Sequence, residues 1–228
     1  PNLWILAGVK CPSYHMVGMM IPGLPFVAVG RNNDIAWGGT NLRAASSDLF
    51  DVSKIPSAEI KSYKERIGVR WWFDQHMTVR DTSHGPVMSD SRLLEPVDGE
   101  AIALRWAGHY VSDEFSAMLG VNRARNWDEF VTAFETFSVS AQNMVYADTS
   151  GNIGKLMAAH LPTREPGAPP FLHDPKFDTA VWDKMINVRD LPLSYNPEAG
   201  FIVSANDRPP HTDVPVGYFF SPGSRMTR

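Results

Sequence analysis

The chain has 228 residues, enough for one large or two small domains, with 43% hydrophobic and 20% charged residues. This composition is typical of a globular protein and argues against collagen, coiled coils and intrinsic disorder. A net charge of −4 without a basic run argues against nucleic acid as a partner, and no apolar stretch is long enough to predict a membrane-spanning helix. The single cysteine, Cys11, excludes an internal disulfide framework.

The first two thirds of the chain contain three segments that predict β-structure. In residues 26–38 two apolar runs flank a polar turn at 31–34, which predicts a hairpin. Residues 67–80 are rich in Val, Trp and Phe and predict strand. A second hairpin is predicted over 144–158, with its turn at 148–151.

Two helices are predicted between these hairpins from their capping residues. Ser112 precedes a first helical pattern, and Asn126 precedes a second one with apolar residues at i, i+3, i+4 and i+7. Glu129 stands three residues after Asn126, which resembles a capping box. The apolar face of the second helix then has a sheet to cover.

The last third of the chain is predicted to contain less regular secondary structure. The proline-rich segment 162–175 predicts an irregular surface excursion, followed by a short helix near 181–188 and a strand at 201–205. Strands, then helices, then strands argue for an α+β layered domain. No fixed-period repeat is present, so one compact unit is the simpler interpretation.

The common catalytic motifs are missing from the sequence. Its seven histidines are scattered without a metal-binding spacing, and there is no GxSxG, GxxxxGK[ST] or GxGxxG. Pro1 could act as an amine base, as in small tautomerases, but those chains are much shorter. Any catalysis therefore uses a different group.

Three segments carry a more particular pattern, 22–50, 143–164 and 191–210, and HGPVMS at 84–89 and ARNWDEF at 124–130 lie between them in the same order. Together they resemble the nucleophile-bearing chain of the penicillin acylase family of N-terminal-nucleophile hydrolases. This family includes penicillin, cephalosporin and acyl-homoserine lactone acylases. The resemblance covers nearly the whole sequence.

The resemblance implies a fold and a reaction. The implied fold is an αββα sandwich of stacked antiparallel sheets, with residues 1–228 as a single partial domain, incomplete at both ends. The implied reaction is amide hydrolysis by an N-terminal serine, whose α-amine has an ordinary pKa near 8 and takes the hydroxyl proton. Because this chain begins with Pro1, the serine is expected upstream, and the isolated chain is expected to be inactive.

The same resemblance implies site residues. The backbone N–H of Asn41 and the side-chain amide of Asn206 are expected to form an oxyanion hole, which stabilises the negative charge of the tetrahedral intermediate. Arg225 is expected to orient Asn206. Pocket positions for the acyl group fall on Val29, Arg43, Met118 and Gln142. These four are not aromatic, which argues against a phenylacetyl pocket, and a long aliphatic acyl chain would suit a Met-rich lining.

The implied cofactors and partners are few. No cofactor is expected, and a structural calcium ion is left open, because Asp48 matches one ligand position of some family members while Ala45 replaces another carboxylate. The expected partners are a small N-acyl amide, either an antibiotic or a quorum signal, and the α chain of the same precursor. By resemblance the parent protein would be a zymogen of the periplasm or the extracellular space.

The alternative interpretation is a non-catalytic, secreted, β-rich module that binds a ligand on the same scaffold. Trp71 and Trp72 would form its stacking surface. Strand alternation argues against this, because it would bury one of two adjacent tryptophans. An upstream serine at a self-cleavage junction would distinguish the acylase from the binding module.

Overall fold

The computed structural model of the chain describes residues 3–91, 101–165, 172–177, 180–209, 214–218 and 220. The chain divides into two compact units. The sheet unit comprises Pro1–Ser46, Tyr110–Thr163 and Trp182–Arg228, and the hairpin unit comprises Ser47–His109 and Arg164–Val181. That residues 1–228 form a single partial domain stays a prediction.

The described residues form fifteen strands and two α-helices. The strands are β1 Ile5–Cys11, β2 Tyr14–Met20, β3 Val29–Arg31, β4 Ile35–Asn41, β5 Ser47–Asp51, β6 Lys61–Ile67, β7 Gln75–Thr82, β8 Gly85–Pro86, β9 Ile102–Trp106, β10 Gln142–Asp148, β11 Ile153–Ala158, β12 Leu161–Arg164, β13 Leu172–His173, β14 Ala180–Ile186 and β15 Ser194–Tyr195. The helices are α1 Glu114–Arg123 and α2 Trp127–Ala133. Neither they nor the short 3-10 helices of the described chain have the length and apolar character needed to span a bilayer.

The sheet unit is built on a seven-stranded antiparallel sheet in the order β1-β2-β3-β4-β10-β11-β15. Both predicted hairpins are confirmed, as β3–β4 and β10–β11. The turn between β10 and β11 is held by Asp148, whose carboxylate accepts the N–H groups of Ser150 at 2.9 Å and Asn152 at 3.0 Å. The turn therefore lies at the residues predicted for it, and the aspartate side chain stabilises it through the backbone N–H groups that follow.

The two helices begin with side-chain caps. Asn126 accepts the Glu129 N–H at 2.9 Å, as predicted. The first helix starts one residue later than expected, because Asp113 rather than Ser112 accepts the Ser116 N–H. Both residue types favour this position for the same reason: a short side chain with an oxygen can reach the unpaired amides of the first turn.

The helices cover one face of the sheet, and a smaller apolar cluster packs on the other face near the end of β11. Leu156 and Ala158 of β11 pack in the helix-side core, whereas Met157 packs in the opposite cluster, as the two-residue period of a strand requires. Gly154 lets α2 approach closely, since a Cβ there would lie 2.3 Å from the ring of Trp127. The far face is covered only in part in the described chain, since Val17 of β2 and Ala36 of β4 on that face are exposed.

The hairpin unit contains two three-stranded sheets, β13-β5-β9 and β6-β7-β8. The predicted strand over 67–80 is interrupted, because 68–74 connects β6 to β7. Trp71 and Trp72 lie in this connection and are both exposed, by 86% and 71%. The expectation that one of them would be buried is wrong, since alternation applies within a strand and not within a turn.

Three predictions for the last third of the chain are corrected. The helix predicted near 181–188 is the strand β14, which pairs with β12, because a short apolar run does not distinguish the two structures. The strand predicted at 201–205 is irregular. Part of the predicted surface excursion lies outside the described residues, while Arg164 and His173 within it are buried, so for them the prediction is wrong.

Candidate active site

A cavity of about 640 Å³ lies in the sheet unit, at the end of β4 and β10 and beside α1. Five predicted site residues line it: Asn41, Asn206, Val29, Met118 and Gln142. Arg43 is exposed and is not among the lining residues, so its role stays a prediction. Arg225 lies outside the described residues.

One wall of the cavity is held in place by buried asparagines. Asn122 of α1 accepts the Val27 N–H at 2.7 Å and donates to the Val27 carbonyl at 2.9 Å. Asn32 donates to the Ala124 carbonyl at 2.8 Å, at the end of the same helix. Because buried polar groups need such partners, these bonds fix the segment that carries Phe26 and Val29 against α1.

The backbone of Asn41 faces the outer edge of β4. The Leu42 N–H donates to the Ala141 carbonyl of the β10 side at 2.9 Å, and successive residues of a strand direct their backbone groups to opposite edges. The N–H and the C=O of Asn41 therefore face away from β10. On this edge β3 pairs with β4 only as far as Trp37 in the described chain. The backbone groups of Asn41 lie four residues beyond that last pair.

The side chain of Asn206 meets this edge. Its Nδ2 donates to the Asn41 carbonyl oxygen at 2.5 Å. The Asn41 side chain is occupied separately, since its Oδ1 accepts from Gln142 Nε2 at 3.0 Å. The Asn206 amide therefore lies at the edge of β4 toward which the Asn41 N–H also points. An amide NH₂ and a backbone N–H are donors of the kind that can stabilise an oxygen that gains negative charge.

Glu114 is an ionised carboxylate in the cavity wall. Its Oε1 accepts the N–H groups of Ser138 and Val139, each at 3.0 Å. Burial raises the pKa of this carboxyl. The hydrogen bonds from Val139, Ser112 and Ser138 together lower the pKa by more than burial raises it, so it lies below its usual range. The carboxylate holds the 137–140 segment, three of whose residues line the cavity.

The sequence did not identify several lining residues. Trp4, Phe26, Phe137 and Glu114 are among them. Phe26 belongs to the same motif as Val29 and could have been found from it, whereas nothing local marks Glu114. Since three of these side chains are aromatic, the absence of aromatics at four predicted positions does not exclude a phenylacetyl group.

Asp48, the candidate calcium ligand, lies in the hairpin unit and faces an arginine and a histidine. Its Oδ2 is 2.8 Å from Nη1 of Arg164 and its Oδ1 is 3.3 Å from Nε2 of His173, with all three side chains at most 3% exposed. The described chain has no cluster of three His, Cys, Asp or Glu that could hold a metal ion. A hard cation needs six to eight oxygens, so these residues do not fit calcium.

The comparison with solved structures gives the class of fold. The chain is similar to the thermostable penicillin G acylase from Alcaligenes faecalis, with a TM-score of 0.83 and 29% identity over 100% of this chain and 43% of that one. This confirms the predicted class, the N-terminal-nucleophile hydrolase sandwich of stacked antiparallel sheets. The chain belongs to the penicillin amidase family, whose model matches residues 1–228.

Curated relatives are acylases. The acyl-homoserine lactone acylase QuiP of Pseudomonas syringae pv. tomato is 28% identical over 95% of this chain and 27% of its own length. Penicillin acylase 2 proenzyme of a Pseudomonas species and penicillin G acylase of Escherichia coli are each 26% identical over 94% of this chain. The chain spans less than a third of the length of each of these relatives.

Proposed function

We propose that this chain is the part of an amide-bond hydrolase that binds the acyl group and stabilises the oxyanion. The observation that carries the proposal is the 2.5 Å contact from Asn206 Nδ2 to the Asn41 carbonyl at the edge of the cavity. This contact brings together two residues predicted for one role from distant parts of the sequence. The acylase names of the curated relatives support the same reaction.

The nucleophile is proposed to be an N-terminal serine outside residues 1–228. The hydroxyls that line the cavity belong to Thr40 and Ser140, and no histidine, lysine or cysteine is present among the described lining residues to activate them. Thr40 Oγ1 lies 2.6 Å from Ser204 Oγ, and Ser140 Oγ accepts from Gln142 Nε2 at 3.4 Å. A hydroxyl without an adjacent base is a weak nucleophile. An N-terminal serine brings its own base, its α-amine.

The proposed mechanism is the one that the family resemblance implies, and its protons and charges balance. The serine hydroxyl attacks the amide carbonyl carbon while its α-amine takes the proton through a water molecule. The carbonyl oxygen becomes an oxyanion that accepts hydrogen bonds from the Asn41 N–H and from Asn206 Nδ2. The proton passes to the leaving amine as the C–N bond breaks, and water hydrolyses the acyl-enzyme.

The substrate is proposed to be a small N-acyl amide with an apolar acyl group. A volume of about 640 Å³ is within the range of small-molecule sites, and Val29, Met118 and Met144 contribute aliphatic and thioether surface. Two of the relatives' names indicate a quorum signal or an antibiotic amide. The partner is proposed to be the α chain of the same precursor, and the word proenzyme in one relative's name supports a processed precursor. The family resemblance supports a location in the periplasm or outside the cell.

The test is hydrolysis of N-acyl amides of graded acyl length by the full-length protein, by its Asn206→Ala variant and by residues 1–228 alone. We expect kcat to fall by about 10²–10³-fold in Asn206→Ala, as for the loss of one oxyanion donor, and no turnover by residues 1–228 alone. Asn33→Ala, at an exposed asparagine of the same unit, is the matched control.

The outcomes separate the two candidate functions. Stoichiometric binding of the amides by the full-length protein without any turnover would favour the non-catalytic binding module. Turnover that Asn206→Ala leaves unchanged would contradict the proposed oxyanion hole. Turnover by residues 1–228 alone would overturn the external serine.

A further inference from the structure

On the sheet face away from the helices, one lysine reaches the segment that carries Asn206. Lys155 of β11 points to this face because it alternates with Gly154 and Leu156. Its Nζ donates to the Val203 carbonyl at 3.0 Å and lies 3.7 Å from Asp207 Oδ2. The side chains of Lys155 and Asp207 are only 15% and 7% exposed, so water screens their charges little.

The segment 203–207 has a conformation that needs support. Asn206 has a φ of 58°, in the left-handed region that residues with a Cβ adopt at a cost, although asparagine tolerates it better than most. The segment forms no strand, so no ladder of backbone bonds holds it. Its fixed points are Ser204, in contact with Thr40, and the Ala205 N–H, which donates to Asp207 Oδ1 at 3.0 Å.

We propose that Lys155 and Asp207 are positioning residues that set the direction of the Asn206 amide, an inference that rests on the proposed function of Asn206. Lys155 binds the segment on both sides of Asn206, at the Val203 carbonyl before it and at the Asp207 carboxylate after it. With both ends held, the left-handed turn at Asn206 directs its amide to the edge of β4. Neither residue touches the substrate in this role.

A merely structural role for this pair makes a different prediction. An ion pair that only stabilises the fold affects thermal unfolding, and below the unfolding temperature its loss leaves kcat unchanged. A pair that positions Asn206 affects kcat in a protein that is still folded, because an error of about 1 Å in a donor's position costs about 10²-fold in rate. It leaves KM nearly unchanged, since the oxyanion exists only after the substrate has bound.

The experiment measures kcat and KM for Lys155→Met, Lys155→Arg and Asp207→Asn in the full-length protein below the unfolding temperature of each variant. We expect kcat to fall by about 10²-fold in Lys155→Met, with recovery of most of the rate in Lys155→Arg, which keeps the charge and the donors. Asp207→Asn keeps the shape and an acceptor for the Ala205 N–H. Lys10→Met, at an exposed lysine on β1 of the same sheet, is the matched control.

A crystal structure of Lys155→Met is the second readout, and it does not depend on activity. The proposal expects the bond from Asn206 Nδ2 to the Asn41 carbonyl to be broken or displaced in this variant. Unchanged kcat together with an unchanged Asn206 conformation would overturn the proposal while leaving the proposed function standing. If the unmodified protein hydrolyses no amide, the proposed function fails, and the Asn206 conformation in Lys155→Met decides the positioning role alone.

Discussion

Each unit of the molecule contains a buried pair of a cation and a carboxylate, and the two pairs differ in what else the cation contacts. In the hairpin unit Arg164 and Asp48 are almost completely buried at 2.8 Å, with His173 on the other carboxylate oxygen. In the sheet unit the distance from Lys155 to Asp207 is longer, at 3.7 Å, but Lys155 also donates to the carbonyl of Val203, three residues before Asn206. The first pair neutralises a buried charge, whereas the second restrains a segment of the candidate active site.

The comparison predicts its largest effect on stability at Arg164. Arg164→Met would leave the Asp48 carboxylate buried without its closest cation, which costs about 3–5 kcal/mol in the free energy of unfolding. Urea unfolding of the purified protein measures this loss, with Arg43→Met at an exposed arginine as control. The double variant with Asp48→Leu should recover much of it. A loss below about 1 kcal/mol would contradict the assigned role of the pair.

Glu114 extends the comparison, because backbone N–H groups and not a cation hold its carboxylate. Glu114→Ala removes the acceptor of two backbone N–H groups, which costs about 1–3 kcal/mol at neutral pH. Because the pKa of Glu114 is lower in the folded protein than in the unfolded chain, its contribution is complete above the unfolded pKa and is lost as the pH falls through the folded value. Unfolding measured against pH should show the two proteins converging in acid.

Glu114→Gln is the control for this pH effect, because it keeps one carbonyl oxygen as an acceptor and does not titrate. Its stability relative to Glu114→Ala should not depend on the ionisation of this site. A difference between the natural protein and Glu114→Ala that is the same in acid as at neutral pH would show that the carboxylate charge contributes nothing.

The uncharged side chain of Asn126, which accepts a hydrogen bond at the start of α2, is expected to contribute less to stability. Asn126→Ala removes the bond to the Glu129 N–H at the start of α2 and should destabilise the protein by about 1 kcal/mol. Asn126→Ser, which keeps a capping oxygen, should lose much less. Thermal unfolding detects the difference, and equal losses in the two variants would exclude a capping contribution.

The smallest expected effect is that of removing calcium. Because Arg164 and His173 already occupy both oxygens of Asp48, a calcium chelator should leave the thermal unfolding temperature unchanged. Added calcium should not raise it either, since a ligand stabilises a protein only by binding its folded state. A decrease with the chelator that calcium reverses would show that a metal site exists and that the pair does not replace it.

Patterns within a few residues accounted for much of the fold. Alternation and turn residues predicted the hairpins that became β3–β4 and β10–β11, and the cap at Asn126 predicted α2. These predictions succeeded because each depends on contacts within one element. The failures, at 181–188 and 201–205, occurred where the local pattern allows several structures and the choice depends on a neighbouring strand.

By itself, the sequence determined the ordered motifs of the penicillin amidase family and the candidates Asn41 and Asn206. Only the tertiary structure decided that these two meet across 165 positions, that Asp48 pairs with Arg164 116 positions away, and that Lys155 holds the segment around Asn206. The physical reason is that a hydrogen bond or an ion pair depends on distance in space, which the folded backbone sets. A periodic pattern along the chain carries no record of that distance.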